Sequence, residues 1–294
     1  MKYKLLLWGV GAKYNALLNR IDELVNDNQI EIVGITGNSG IPQSSYLDGY
    51  RVVDICDISY LKFDYIVILN DTHFTEILCQ ICQMLGDTSK VLSYRVFELP
   101  GLIFEEYVEL KESNLTIISN NCWAGTAYNC LGLECLSPIK NLFITDVDYL
   151  KLLHDLKGYF SKELRYKSNA IDPHSGKQYP VMTLGDIEVH CNHALNYEEA
   201  IKQWNRRCKK VNYNNLFIEM YTEDKAIEIE FSELEYEKKI CFVPYDSDLN
   251  SSLKVELYKG QKMFWQAVNS NASRAGLKYD LISLLLKNEI KMRY

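Results

Sequence analysis

Apolar runs alternate with helically spaced apolar positions through the N-terminal third of the chain. Lys4 to Trp8 is a short strand-like run, Ala16 to Val25 carries helical spacing, and Glu31 to Thr36 reads as a strand again. Tyr65 to Leu69 is a third apolar run rich in β-branched residues. A helix is predicted over Phe74 to Leu85 and a fourth strand at Val91 to Phe97. Strands alternating with helices imply a mostly parallel sheet, here a small Rossmann-like domain.

Pro100-Gly101 is a turn signal, and the charged segment Phe104 to Ser113 reads as a connecting helix. The expected division is therefore a Rossmann-like domain over residues 1–110 and a second α/β domain with a mixed sheet over residues 111–294. The second domain opens with a strand at Leu115 to Ser119, followed by a helix from about Ala124 to Cys130. Thr145 and Asp148 have the spacing of a capping box, and Tyr149, Leu152, Leu153, Leu156 and Phe160 form the stripe of one helix behind it. Ser168 to Pro180 reads as a polar loop, and Ile187, Val189 and Cys191 alternate with polar residues as in a half-buried strand. Asn196 is placed to cap a helix whose buried face includes Ile201 and Trp204. Strands follow at Leu216 to Met220 and Ile240 to Val243, and a closing helix starts near Asp280. Ile227 to Phe231 alternates like a strand yet consists of helix formers, so both readings stay open.

A chain of 294 residues with 47% apolar and 24% charged residues has ample core for two domains. No apolar stretch approaches the ~18 residues of a membrane span, and the run after Met1 is broken too early by Gly9 for an export signal. The nine cysteines form no regular framework, so reduced thiols and a cytoplasmic location are expected. A net charge of -7 argues against bulk nucleic-acid binding, and the sequence leaves the oligomeric state open.

Gly9-Val10-Gly11-Ala12-Lys13-Tyr14 follows a strand and precedes a helix, where a glycine turn presents backbone N–H groups to a phosphate. Tyr14 replaces the third glycine of the dinucleotide fingerprint, and the second strand ends in Thr36-Gly37 rather than at a carboxylate. Gly9 and Gly11 are thus candidates for a nucleotide-sugar or coenzyme A phosphate, with no cofactor assigned, or a turn that binds nothing. Cys79 and Cys82 fall inside a predicted apolar helix and are expected to be packing residues. His190 and His193 could share a metal with Asp186 or His174 only if the strand ended by Asn192, so no metal is assigned. One histidine as acid or base is preferred, because His190 shares a strand face with Asp186 and Glu188. Lys202, Arg206 and Lys210, with Arg207 and Lys209 beside them, are either a solvated helix face or an anion clamp.

Ser119-Asn120-Asn121-Cys122-Trp123-Ala124-Gly125 is the most informative segment. A helix beginning at Ala124 would put Cys122 at its positive end, where a thiolate is favoured, with Asn120 and Asn121 amides at hand for an oxyanion. Cys122 is accordingly expected to be the most acid-shifted thiol, with Cys79, Cys82 and Cys208 shielded; the bland alternative is a small buried core residue.

Ser119-Asn120-Asn121-Cys122-Trp123, Ser137-Pro138, Asn141-Leu142-Phe143, Tyr179-Pro180, Gly185-Asp186, His190, His193, Glu199-Ala200, Trp204, Arg206-Arg207 and Val211-Asn212 together resemble a bacterial domain of unknown function. Proteins carrying that domain are often labelled exopolysaccharide biosynthesis proteins. The resemblance covers about residues 113 to 245, with departures at Ala124, Ala194 and Lys210. It implies a role in glycan synthesis and no particular reaction. The N-terminal domain is similar in style to glycine-turn domains attached to glycan-modifying enzymes, and the Asn-Cys turn is similar to one in a separate family of polysaccharide enzymes.

The reading that follows is a transferase acting on an activated sugar or glycan intermediate, its site at a cleft between the domains. Acyl transfer through Cys122 is preferred, with His190, His193, Asn120 and Asn121 as its catalytic partners. Trp123, Ser137, Asp186, Arg206 and Arg207 would bind the small-molecule or glycan substrate. The alternative is a non-catalytic sugar-nucleotide-binding or assembly subunit.

Overall fold

The structure is a computed structural model that describes residues 2–38, 45–173, 175–272 and 278–292. Two compact units divide the chain, Met1–Val108 and Glu109–Tyr294.

In the first unit, strand β1 (Tyr3–Trp8) leads into helix α1 (Ala12–Asn26) and strand β2 (Ile30–Thr36). A two-strand ribbon, β3 (Tyr46–Leu47) and β4 (Tyr50–Arg51), precedes β5 (Tyr65–Ile68), α2 (Phe74–Leu85), β6 (Val91–Ser93) and α3 (Phe104–Glu112). The sheet order is β2-β1-β5-β6, all parallel. Leu5, Leu6 and Leu7 are all fully buried, as a strand covered on both faces requires. Helix α1 turns Tyr14, Leu17, Ile21 and Leu24 inward at helical spacing.

Two expectations fail in this unit. The fourth strand stops at Ser93, whose Oγ accepts from Arg95 N–H at 3.4 Å and turns the chain into a 3-10 segment over Tyr94–Glu98. Cys79 and Cys82 are exposed rather than packed, because Ile77 and Ile81 set the buried side of α2 and a three-residue step keeps both thiols on the other side.

The second unit begins with β7 (Thr116–Ser119), α4 (Trp123–Leu131), α5 (Asp146–His154) and α6 (Leu156–Ser161). It continues with β8 (Leu164–Ile171), β9 (Gln178–Leu184), β10 (Ile187–His190), α7 (Tyr197–Cys208), β11 (Leu216–Tyr221) and α8 (Lys225–Glu233). The last elements are β12 (Lys239–Val243), β13 (Ser252–Lys254), α9 (Phe264–Asn271) and α10 (Leu281–Lys287). Both kinds of pairing are present, carried by separate sheets: a parallel sheet ordered β13-β12-β11-β7 and an antiparallel sheet ordered β10-β9-β8. One core cluster joins them, with Ile218 and Met220 from the parallel sheet, Met182 and Val189 from the antiparallel one, and Tyr149, Phe160 and Trp204 from helices.

Local chemistry explains where this unit departs from the pattern. Thr145 makes no side-chain cap, and Asp148 instead accepts from Glu188 N–H at 3.0 Å, tying α5 to β10. The single helix predicted over Tyr149 to Phe160 breaks at Asp155, whose Oδ1 accepts from Gly158 N–H at 3.0 Å and starts α6. The expected polar loop at Ser168 to Pro180 is a hairpin: β8 is solvent-facing over residues 165–169, so it lacks the apolar alternation that marks a strand. Residues 225–233 resolve to helix, capped by Asp224 accepting from Ala226 N–H at 2.8 Å. Asn196 caps α7 as expected, accepting from Glu199 N–H at 2.8 Å. Among the described residues no helix is long and apolar enough to cross a membrane.

Candidate active site

The site grows from the end of β7. Ser119 is paired in register with Glu219 of β11, and its Oγ lies 2.5 Å from Glu219 Oε2. Asn120 then extends the ladder with its side chain: Oδ1 accepts from Tyr221 N–H at 3.1 Å, and Nδ2 donates to Tyr221 O at 3.0 Å and Asp146 Oδ1 at 3.3 Å. Asn121 Oδ1 accepts from Trp123 N–H at 2.7 Å at the start of α4, while its Nδ2 donates to Asn120 Oδ1 at 2.9 Å and to the Glu219 carboxyl. Both amides are therefore committed internally. They shape the turn and have no N–H left for an oxyanion, contrary to the sequence expectation.

Cys122 is the N-cap of α4, and its Sγ lies 3.5 Å from His193 Nε2 in the turn after β10. Burial pushes the Cys122 thiol up to about 11, with the Glu219 charge as the lesser cause. The expected acid shift is thus reversed. A helix terminus contributes ~0.3–1 kcal/mol, less than one pH unit, which burial outweighs. At rest the thiol is protonated, and the tautomer of the His193 ring sets which of the two groups donates. Glu219, fully buried, is itself pushed up to about 8 by desolvation, against the hydrogen bonds from Ser119 and Asn121 that stabilise its charge.

His190 does not join this pair. Its Nδ1 faces the Tyr179 hydroxyl at 3.2 Å, its backbone bridges to Phe143, and burial lowers its pKa so that the ring is neutral near pH 7.

A family model described as a domain of unknown function, DUF1919, matches residues 94–285, well over half of the chain. The chain belongs to this family. Residues 1–92 match a second model, described as C2185-like, N-terminal. An uncharacterized protein of Haemophilus influenzae is 30% identical over 142 residues, which is 47% of this chain and 66% of that protein's length. The aspartate semialdehyde dehydrogenase II of Vibrio cholerae, solved as a complex with ASA, covers 98% of this chain and 99% of its own at 9% identity. Its TM-score of 0.30 is too low to carry an argument.

Within the DUF1919 region the remaining sequence candidates separate. Trp123 is fully buried and stacks on Phe217 at 6.0 Å, so it is core and not a substrate platform. Ser137 is equally buried and its Oγ accepts from Ile139 N–H at 3.2 Å, fixing the turn around Pro138. Asp186 sits in the exposed turn at the far end of β10 from His190, bonded by the Tyr159 hydroxyl at 2.6 Å. Arg206 points along the surface to Gln203 Oε1 at 2.6 Å, whereas Arg207 is half-buried and lines the same cavity as His193. His174, once considered as a ligand, lies outside the described residues; among those described, no three His, Cys, Asp or Glu side chains are grouped to hold a metal.

The glycine turn belongs to the first unit. Gly9, at φ 114°, stands where β1 ends beside β5, the position at which the strand order reverses. A side chain would be strained at that φ and its Cβ would come within 3.3 Å of Leu69 O, which accounts for the glycine without a ligand. Gly11 is the N-cap of α1, and Lys13 above it is held between Glu98 at 3.2 Å and Asp71 at 4.0 Å. Those carboxylates oppose a phosphate at this turn. Glu219 belongs to none of the sequence motifs, although a lone carboxylate inside the apolar run Leu216–Tyr221 is a legible signal of a buried polar site.

Proposed function

We propose that this DUF1919 chain is a thiol-dependent acyltransferase acting on a glycan intermediate, with Cys122 as nucleophile and His193 as its base. The carrying observation is the 3.5 Å contact between Cys122 Sγ and His193 Nε2 at the N-terminus of α4. In this reading Sγ attacks the acyl carbon of an activated donor while the thiol proton passes to His193 Nε2. The donor's leaving group departs with that proton and a thioester remains. A sugar hydroxyl then attacks the thioester, its proton passes through His193 to the departing Sγ, and the thiol is restored. The first-turn N–H groups of Ala124 and Gly125, which have no intrahelical acceptor, are the donors this reading assigns to the oxyanion. The glycan part draws on the resemblance of residues 113–245 to exopolysaccharide-labelled domains.

The thiol held up at about 11 favours a second reading, a non-catalytic sugar-nucleotide-binding or assembly subunit with Cys122 as an inert, half-buried thiol. Slow alkylation of Cys122 is expected under both, so trapping the acyl-enzyme is the discriminating measurement. The full chain is incubated with short-chain coenzyme A thioesters and the Cys122 peptide is weighed by mass spectrometry. Acyl transfer predicts an acylated peptide, absent in Cys122→Ser and reduced at least ~100-fold in rate in His193→Gln. No acylation with any donor leaves the binding reading.

A further inference from the structure

Helix α7 presents Ala200, Gln203, Trp204 and Arg207 on one side at helical spacing. With Lys140, Asn141 and His193 this side lines a cavity of about 130 Å³. Two cations line it without a direct ion pair: among the described residues neither Arg207 nor Lys140 makes a salt bridge or a side-chain hydrogen bond. Their neighbours behave otherwise, since Lys210 is paired with Glu134 and Arg206 is spent on Gln203. Glu199 also borders the cavity, its Oε2 accepting from Leu195 N–H at 2.9 Å, so two cations face one carboxylate there. A solvated charged face explains the exposed Lys202, Arg206 and Lys209; it does not explain a half-buried guanidinium whose lost hydration nothing replaces. Burial indeed lowers the Arg207 pKa, with Arg206 adding to the effect and the Cys135, Glu199 and Cys191 side chains opposing it.

We infer that this cavity is an oxyanion site for the charged group of a sugar acid or sugar phosphate, with Arg207 forking onto the oxygens and Lys140 supplying the second charge. Its volume is below the ~300–1,000 Å³ of sites for drug-sized ligands, so it fits one monosaccharide unit rather than a whole nucleotide. Trp204 supplies an apolar wall and the Asn141 amide a partner for hydroxyls. The inference rests on the acyl-transfer reading only for its setting: His193 lines the cavity and also touches Cys122, which puts the hydroxyls of a bound sugar beside the acyl carrier.

The test is titration calorimetry of the full chain with glucuronate, glucose 1-phosphate, glucose and inorganic phosphate. At least one anionic sugar binds and glucose does not, and the stronger of the two anionic sugars identifies carboxylate or phosphate as the source. Arg207→Gln weakens that binding at least about tenfold, and Arg206→Gln leaves it unchanged. Lys140→Gln, on a loop, weakens it in the same sense and stands in should Arg207→Gln not fold. Glucose binding as well as glucuronate, inorganic phosphate binding alone, no anionic sugar binding, or wild-type affinity in both cavity variants would overturn the inference. Anionic-sugar binding by a wild-type chain that forms no acyl-enzyme supports the oxyanion site while removing acyl transfer, and an acyl-enzyme without sugar binding does the reverse, so the two failures are distinct.

Discussion

At the scale of single residues, Glu219 sets the electrostatics beneath Cys122. It is fully buried between Ser119 and Asn121 with no ion pair to a cation among the described residues, so lost hydration dominates and the proton stays on to about pH 8. In the unfolded chain the same carboxyl ionises near its ordinary value of 4.5. The folded state thus holds the extra proton between those limits, and the contribution of Glu219 to stability falls as pH rises from about 4.5 to about 8, then levels. Glu219→Gln keeps an oxygen to accept from Ser119 and Asn121 and cannot ionise. Urea unfolding of this variant from pH 5 to 8.5 is expected to show a flatter pH profile than the wild type, with its largest relative gain near pH 8. An unchanged slope would assign the buried carboxylate a counter-charge that has not been recognised.

At the scale of elements, α4 is seated by one glycine. A Cβ on Gly125 would meet Asn141 Oδ1 at 1.9 Å, so the Asn141 side chain or the loop that carries it must shift. Gly125→Ala is expected to cost ~1–3 kcal/mol in thermal or urea unfolding by overpacking this contact, while displacing the Asn141 amide from the cavity that it lines. Asn196→Ala, which removes the α7 cap, should cost ~1 kcal/mol without that displacement. Comparing sugar binding in the two variants therefore separates loss of stability from loss of the cavity.

At the scale of the whole molecule, the two units carry different chemistry at the ends of their parallel sheets. In the first, β1 ends at Gly9 beside β5, yet Tyr14 is buried with its hydroxyl on Asp48 at 2.9 Å and Lys13 faces two carboxylates. A nicotinamide dinucleotide finds neither a third glycine nor an acidic ribose partner there, and two acidic groups oppose its pyrophosphate. Calorimetry with oxidised and reduced cofactor is expected to give no binding; a Kd near ~1 μM, about -8 kcal/mol, would overturn this. In the second unit, β7 and β11 end at Ser119 and Tyr221, and the Cys122 turn is built on both.

The sequence by itself determined the α/β class, the fully apolar strands, the faces of α1 and α7, the Asn196 cap and the position of Cys122 at a strand-to-helix turn. Those features follow from local spacing and side-chain chemistry, which a chain carries wherever it folds. Only the tertiary structure decided which histidine meets Cys122, because His190 and His193 differ by where β10 ends and not by residue type. It likewise decided that the Asn120 and Asn121 amides are spent on β11 and α4, that Trp123 is core, and that Arg207 and not Arg206 faces a cavity. The sign of the Cys122 shift was beyond the sequence for the same reason. A helix end lowers a thiol pKa, whereas burial and the Glu219 charge raise it, and both of these depend on residues brought together from far along the chain.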